Sequence, residues 1–435
     1  MASSCFKLLP QEILDSIIDC LYDDKPSLSQ CTLVSQRFID RSRHHLFFKV
    51  TLVNEGDSTS ECTFDTIAFL SFLAEIPSIR HYIQRITIHN SNLDPDAPPG
   101  KPIQVSHLIS ILELLPQLIR LSLCDVRLAS DESAVQRLPS LAARFKLKRL
   151  SLTGVDDESD NSRDSLPMVD LLSLFSHIDM LYVSGFYSDW ANHVKFASLS
   201  HLAQKVSVSS VAMIALRDFT ELEELLEATV DTSHVSRLTV TNSAPYNTPR
   251  INSILKLFSE EALREFEFDL RNFIWRRRPW DVLELSRFIF TRSVNVHVTI
   301  SRFPSSNRST WEYVTSLMSA FPTSFLEDIS VHLHVDLSSE HRIPDYGVVE
   351  GEISVPDTLK FLDWSTFATI LGTMPKLRKV IFHMHFHGFP VPSNYTAVKV
   401  FEASRVIIED RLAIYHKCGV LRVKRELGIW TTFDA

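Results

Sequence analysis

The sequence predicts an α/β protein: a small helical unit over residues 6–50, then a solenoid of strand–helix repeats over residues 51–435. Two patterns underlie that expectation. Near the start, LPQEILDSIIDCL (9–21) has apolar residues at helical spacing. Farther on, short strand-like phrases with apolar residues at their first, fourth and sixth positions recur, with helix-like segments between them.

On a helix, Leu9, Ile13, Leu14, Ile17, Ile18 and Leu21 fan across roughly half the circumference, and Gln11, Glu12, Asp15, Ser16 and Asp19 take the other half. Pro10 suits a first turn, where its missing N–H is not needed, and Glu12 falls near the positive end of the helix dipole. After a polar turn, YDDKPSLSQ, with Ser27 and Ser29 as candidate caps, a second apolar pattern follows in CTLVSQRFIDRSRHHLF (31–47). Two or three short helices in about forty residues bury too little surface to stand alone without a staple or a partner. An apolar face this wide implies an opposing surface.

The phrases are IQRITI (83–88), LIRLSL (118–123), LKRLSL (147–152), IDMLYV (178–183), VSRLTV (235–240), LREFEF (263–268), LEDISV (326–331) and LRKVIF (377–382). AQKVSV (203–208) and TRSVNV (291–296) fit more weakly; with them the starts fall 25 to 35 residues apart until a last step of 51. SHLISILELL (106–115), INSILKLFSEEAL (251–263), WDVLELSRFIF (280–290), WEYVTSLMSAF (311–321) and WSTFATILGTM (364–374) read as the intervening helices. Apolar strand faces against such helices predict a parallel sheet. The polar stretches 54–61, 91–102, 156–165 and 338–352 read as surface loops.

Composition narrows the function. A net charge of −9 argues against a nucleic-acid partner for the chain as a whole. Six scattered cysteines without a C-x-x-C pair fit reduced thiols, and no run approaches the length of a membrane span, so a cytoplasmic or nuclear protein without membrane partners is expected. Nucleophile elbows, P-loops and dinucleotide fingerprints are missing, and no cofactor is implied.

The N-terminal stretch from Leu9 to Leu52, with its Leu-Pro-x-Glu-Ile-Leu opening, the Ile-x-x-x-Leu that follows, a Cys-x-Leu-Val-Ser-x-x-Phe core and a closing Leu-Phe, resembles the F-box motif. The strand–helix phrases resemble the degenerate leucine-rich repeats that follow many F-boxes. They depart from consensus where Val126, Val155 and Phe186 stand at the usual Asn or Cys position. The resemblance implies docking on a Skp-type adaptor and, through it, on cullin and RING subunits of a ubiquitin ligase. The adaptor-facing positions it implies are Leu9, Pro10, Ile13, Leu14, Ile17, Ile18, Leu28, Cys31, Val34 and Phe38. The rest of the chain would hold an unknown protein substrate, and the receptor would itself be no enzyme. A non-degradative scaffold is the alternative from the same resemblance.

Two local features are candidates for substrate contact. In HMHFH (383–387), His383, His385 and His387 would share one strand face, while Val380, Phe382, Met384 and Phe386 turn to the core. His332, His334 and His297 join them if their strands are neighbours. Three histidines also suffice for a metal-dependent hydrolase in principle, but no H-E-x-x-H helix accompanies them and same-face neighbours sit about 7 Å apart, so no metal is expected. WRRRPW (275–280), with Trp275 and Arg277, interleaves cations and aromatics; it reads first as a structural loop and second as a substrate contact.

Overall fold

The computed structural model describes residues 9–54, 65–90, 101–141, 143–157, 167–185, 205–214, 220–241, 248–271, 283–300, 304–336, 354–387 and 394–426. They belong to two compact units, Met1–Tyr182 with Phe186–Val206, and Val183–Gly185 with Ser207–Ala435.

The first unit opens with three helices, α1 (Gln11–Asp19), α2 (Lys25–Val34) and α3 (Gln36–Phe47). Pro10 sits one residue before α1 as its cap, and α2 is capped by the Asp24 carboxylate on the Ser27 N–H rather than by a serine. Then come β1 (Lys49–Asn54), α4 (Thr66–Glu75), β2 (Arg85–Asn90), β3 (Ile103–Gln104), α5 (Val105–Leu114), β4 (Arg120–Cys124), β5 (Arg127–Ala129), α6 (Glu132–Leu141), β6 (Phe145–Thr153), β7 (Asp156–Asp157), α7 (Pro167–Ser173) and β8 (Phe175–Ser184). The sheet runs β1-β2-β4-β6-β8, and β3, β5 and β7 form a small second sheet. The pairs β1/β2, β2/β4 and β4/β6 are parallel and in register, so that Ile86, Leu121 and Leu150 make one apolar row and Ile88, Leu123 and Leu152 the next. All six are buried. The alternation apolar-in, polar-out thus builds a continuous core one row at a time.

The second unit contains β9 (Val206–Ile214), α8 (Thr220–Thr229), β10 (Val230–Asp231), β11 (Arg237–Thr241), α9 (Thr248–Leu255), β12 (Glu265–Asp269), β13 (Ser293–Ile300), α10 (Pro304–Ala320), β14 (Asp328–Asp336), α11 (Val355–Lys360), α12 (Trp364–Gly372), β15 (Lys379–His387), α13 (Asn394–Arg411), α14 (Ala413–Lys417) and β16 (Leu421–Glu426). Its sheet order, β9-β11-β12-β13-β14-β15-β16, again follows the chain, and the neighbouring strands from β9/β11 to β15/β16 pair in parallel. One row joins Leu238, Phe266, Val294, Ile329, Val380 and Leu421, all buried. Sequential parallel strands with helices between them make a leucine-rich-repeat-like α/β fold.

The repeat phrases locate the strands with an offset. Most strands begin two residues into the phrase, and the first apolar residue, such as Ile83, Leu118, Val235, Leu263 or Leu326, is a buried anchor at the strand entrance. β1 and β16 lie outside the repeating phrases altogether. One expected helix does not form: within WDVLELSRFIF the described residues 283–290 make turns, because Leu283, Leu285 and Phe288 reach the core from an irregular backbone. INSILKLFSEEAL is helical only at its start, in α9.

A recurring turn closes the strands of the first repeats. Asp125 (φ 54°), Gly154 (φ 57°) and Gly185 (φ 60°) each take the left-handed conformation just after β4, β6 and β8. Val126 and Val155, which follow, are buried. The site of the consensus asparagine ladder is therefore an apolar one in this chain.

Candidate functional site

The helical unit encloses its own small core. Leu14, Ile18, Leu28 and Phe38 are buried together, with Leu9, Leu21, Cys31 and Leu46 packed around them. Polar bonds fix the arrangement. The Arg37 guanidinium donates to the Leu9 carbonyl at 2.8 Å and to Gln11 Oε1 at 3.2 Å, pinning the start of α1 to the α2–α3 junction. Arg41 Nη2 donates to Asp19 Oδ2 at 2.7 Å, and His45 Nε2 lies 2.6 Å from Asp19 Oδ1. The hydrogen bond from Arg41, assisted by His45 against the opposing effect of burial, holds the Asp19 carboxyl down to about 2. Tyr82 Oη donates to Asp40 at 2.7 Å and ties α3 to the segment ahead of β2.

The ten positions singled out in this region therefore divide. Leu14, Ile18, Leu28 and Phe38 are internal, and Leu9 and Cys31 are partly buried. Pro10 is exposed, Ile13 and Ile17 are each 48% exposed, and Val34 is 70% exposed. Leu33, which the sequence pattern did not single out, is 79% exposed beside Val34. Because Arg37 holds the α1 start at the α2–α3 junction, Pro10 and Ile13 lie at the same end as Leu33 and Val34.

The histidines form a second feature, in the second unit. Register places His297, His332 and His383 side by side on β13, β14 and β15, and His334 beside His385. Val380, Phe382 and Met384 turn to the core as the alternation requires. The rings stack: His297 on His332 at 4.1 Å, His332 on His383 at 4.4 Å and His334 on His385 at 4.6 Å between centroids, all within 9° of parallel. Diagonally, their edges meet. His297 Nδ1 lies 3.1 Å from His334 Nε2, His334 Nδ1 3.2 Å from His387 Nε2, and His332 Nδ1 3.1 Å from His385 Nε2.

One carboxylate terminates the His297–His334–His387 chain, and another holds His383. Glu267 on β12 lies 3.4 Å from His297 Nε2 and accepts from Arg237 Nη2 at 2.7 Å; Glu426 on β16 lies 2.7 Å from His383 Nδ1. With Glu267 accepting from His297 Nε2–H, a neutral His297 presents Nδ1 as an acceptor to His334 Nε2–H, and His334 Nδ1 in turn to His387 Nε2–H. One carboxylate thereby orders donors and acceptors along His297, His334 and His387. Burial, reinforced by neighbouring imidazoles, lowers His332 to about 2 and His385 to about 4, and moves His334 down further. Burial raises Glu267, but hydrogen bonds from His297 and Arg237 outweigh it and hold the carboxyl at about 2.

This geometry differs from a metal centre. Rings packed face to face spend their nitrogens edge-on on one another instead of converging on a common point, and among the described residues no group of three or more His, Cys, Asp or Glu side chains could hold a metal ion. Trp275 and Arg277 lie outside the described residues. No helix among the described residues is long and apolar enough to cross a membrane.

No protein-family model matches the chain, and no curated protein matches it. Among solved structures, the leucine-rich repeat-containing protein LegL7 from Legionella pneumophila is similar at 11% identity, covering 84% of this chain and 98% of that one, with a TM-score of 0.36.

Proposed function

We propose that the chain is the substrate-recognition subunit of a cullin–RING (SCF-type) ubiquitin ligase, docking on a Skp-type adaptor through α1–α3 and holding a target protein on the strand–helix units. The observation behind this reading is the divided apolar face of the helical unit. Leu14, Ile18, Leu28 and Phe38 satisfy its own core, while Ile13, Ile17, Leu33 and Val34 remain exposed. The F-box-like order of these residues supplies the kind of partner. Covering what is still exposed of each side chain would contribute on the order of 1 kcal/mol apiece. The receptor performs no bond chemistry in this scheme; it raises rate by proximity, holding a substrate lysine near a thioester on another subunit.

Capture of the adaptor from cells tests the reading. The variant carrying Ile13→Asp and Ile17→Asp alters only half-exposed positions, so its thermal unfolding should match that of the unaltered chain while adaptor recovery is lost. Adaptor recovered undiminished by that folded variant would overturn the assignment. Leu14→Ala makes the contrast, because emptying this core costs about 2–5 kcal/mol and destabilises the helical unit itself.

A further inference from the structure

The first unit's sheet ends in an open edge. β1 stands first in its order and pairs only with β2 among the described residues. The Phe48 carbonyl accepts from the N–H groups of Gln84 and Arg85 at 3.2 and 3.0 Å. The backbone groups of Val50 and Leu52 therefore also turn toward β2, and alternation directs the N–H and C=O groups of Lys49, Thr51 and Val53 outward. None of these outward groups has a backbone partner among the described residues. A strand edge left in this state is a template for a further strand.

An apolar cavity of about 250 Å³ lies against the same edge, with Phe47, Val50, Leu52 and Phe69 on its wall and Lys49 and Thr51 beside them. A cavity of about 150 Å³ already takes a benzene ring, so this one has room for a large apolar side chain. The helix bordering it, α4, is apolar on nearly all sides. Glu75 is the one charge in TIAFLSFLAE, yet Ile67 is 59% exposed and Leu70 and Phe72 are only half-buried. A helix of that composition is expected to be covered. Lys49 supplies the sign of the edge: it is exposed and has no ion-pair partner among the described residues.

We infer that β1 accepts an extended protein segment as an additional outer strand, one that alternates apolar and acidic side chains, with an apolar residue in the cavity beside α4 and a carboxylate opposite Lys49. The pleat dictates this alternation. Side chains of an added strand fall in turn on the side of Val50 and Leu52, where the cavity lies, and on the side of Lys49 and Thr51. Main-chain bonds to Lys49, Thr51 and Val53 hold the segment, and the cavity chooses its side chain. Charge complementarity selects the partner, because an edge lysine disfavours indiscriminate strand pairing and favours a strand that sets a carboxylate across from it. The inference names a chemical class for the target of the receptor reading and rests on that reading for its biological meaning, but its measurement does not depend on the adaptor.

Fluorescence anisotropy of the full chain with a labelled octapeptide of alternating valine and glutamate tests it, beside control octapeptides of alternating serine and glutamate and of alternating valine and lysine. The valine–glutamate peptide should bind and the two controls should bind at least about tenfold more weakly. Lys49→Glu should reverse the preference between the glutamate and lysine peptides. Thr51→Pro removes an outward N–H without touching the β1/β2 ladder, so it should abolish binding. Thermal unfolding checks that both variants are folded. No binding of the valine–glutamate peptide, equal binding of either control, or undiminished binding by either folded variant would each overturn the inference. A chain that sedimentation shows to be dimeric, and that Thr51→Pro makes monomeric, would overturn it too, by making a second copy the occupant. The variant with Ile13→Asp and Ile17→Asp should bind the valine–glutamate peptide normally, so the failure of adaptor capture and the failure of this edge are read separately.

Discussion

Single residues decide how this chain turns at the ends of its strands. Gly154 has φ 57°, and a Cβ built there would collide with Asp125 Oδ1, the side chain at the equivalent turn of the preceding strand. Gly154→Ala therefore combines left-handed backbone strain of about 1–2 kcal/mol with a clash that forces the Asp125 carboxylate to move. A lowered melting temperature is expected, and an unchanged one would show that the turn relaxes freely. Asp125 adopts nearly the same φ without being glycine, which the short polar side chain tolerates. The pairs Asp125-Val126 and Gly154-Val155 are legible in the sequence, but their shared left-handed turn is not, because Asp and Gly have no spacing signal in common with the leucines. Likewise, the helical face of α1 was legible, while its division into buried Leu14 and Ile18 and exposed Ile13 and Ile17 was not. That division depends on which side α3 packs, and a pattern of apolar spacing does not contain it.

At the scale of elements, β13, β14 and β15 create properties that none has alone. Along β15 the rings of His383, His385 and His387 are 6.5 Å apart, close to the strand repeat, whereas the closest ring contacts run laterally to the neighbouring strands. Three of the stacked rings, His332, His334 and His385, resist protonation. His332, His334 and His385 have folded-state values well below the ordinary 6.5, so in the unfolded chain they take up protons at a pH where the folded ladder refuses them. Stability is then fully present above pH 6.5 and falls as pH drops toward the lowered values. His332 and His334 each contribute a slope of up to about 1.4 kcal/mol per pH unit, and the more exposed His385 contributes less. Glu267, held near 2 against an ordinary 4.5, adds to the loss at lower pH. Urea unfolding between about pH 7.5 and about pH 5 should show this decline, and His334→Gln should flatten it. A pH-independent midpoint would refute the neutral-ladder account.

For the molecule as a whole, the receptor reading makes a prediction about turnover. Proteins captured by the full chain should rise in level when the chain is depleted from cells and fall when it is overproduced, provided the adaptor is bound. Levels that stay constant with adaptor binding intact would assign the chain a scaffold role instead. By itself the sequence determined the alternation of strands and helices, the order of the parallel strands and the core row of nearly every repeat, because burial of alternate side chains on a repeating unit is a local property of spacing. It also indicated a helical N-terminal unit with more apolar surface than its size requires. Only the tertiary structure decided which of those apolar residues remain in water, that WDVLELSRFIF has no helix among its described residues, and that β1 and β16 extend their sheets. It alone set Lys49, Arg85, Arg120 and Arg149 in one line and stacked five strand-borne histidines ring on ring. Lateral register joins residues some thirty to fifty positions apart in the chain, and no periodicity within one strand encodes which side chain its neighbour will place alongside.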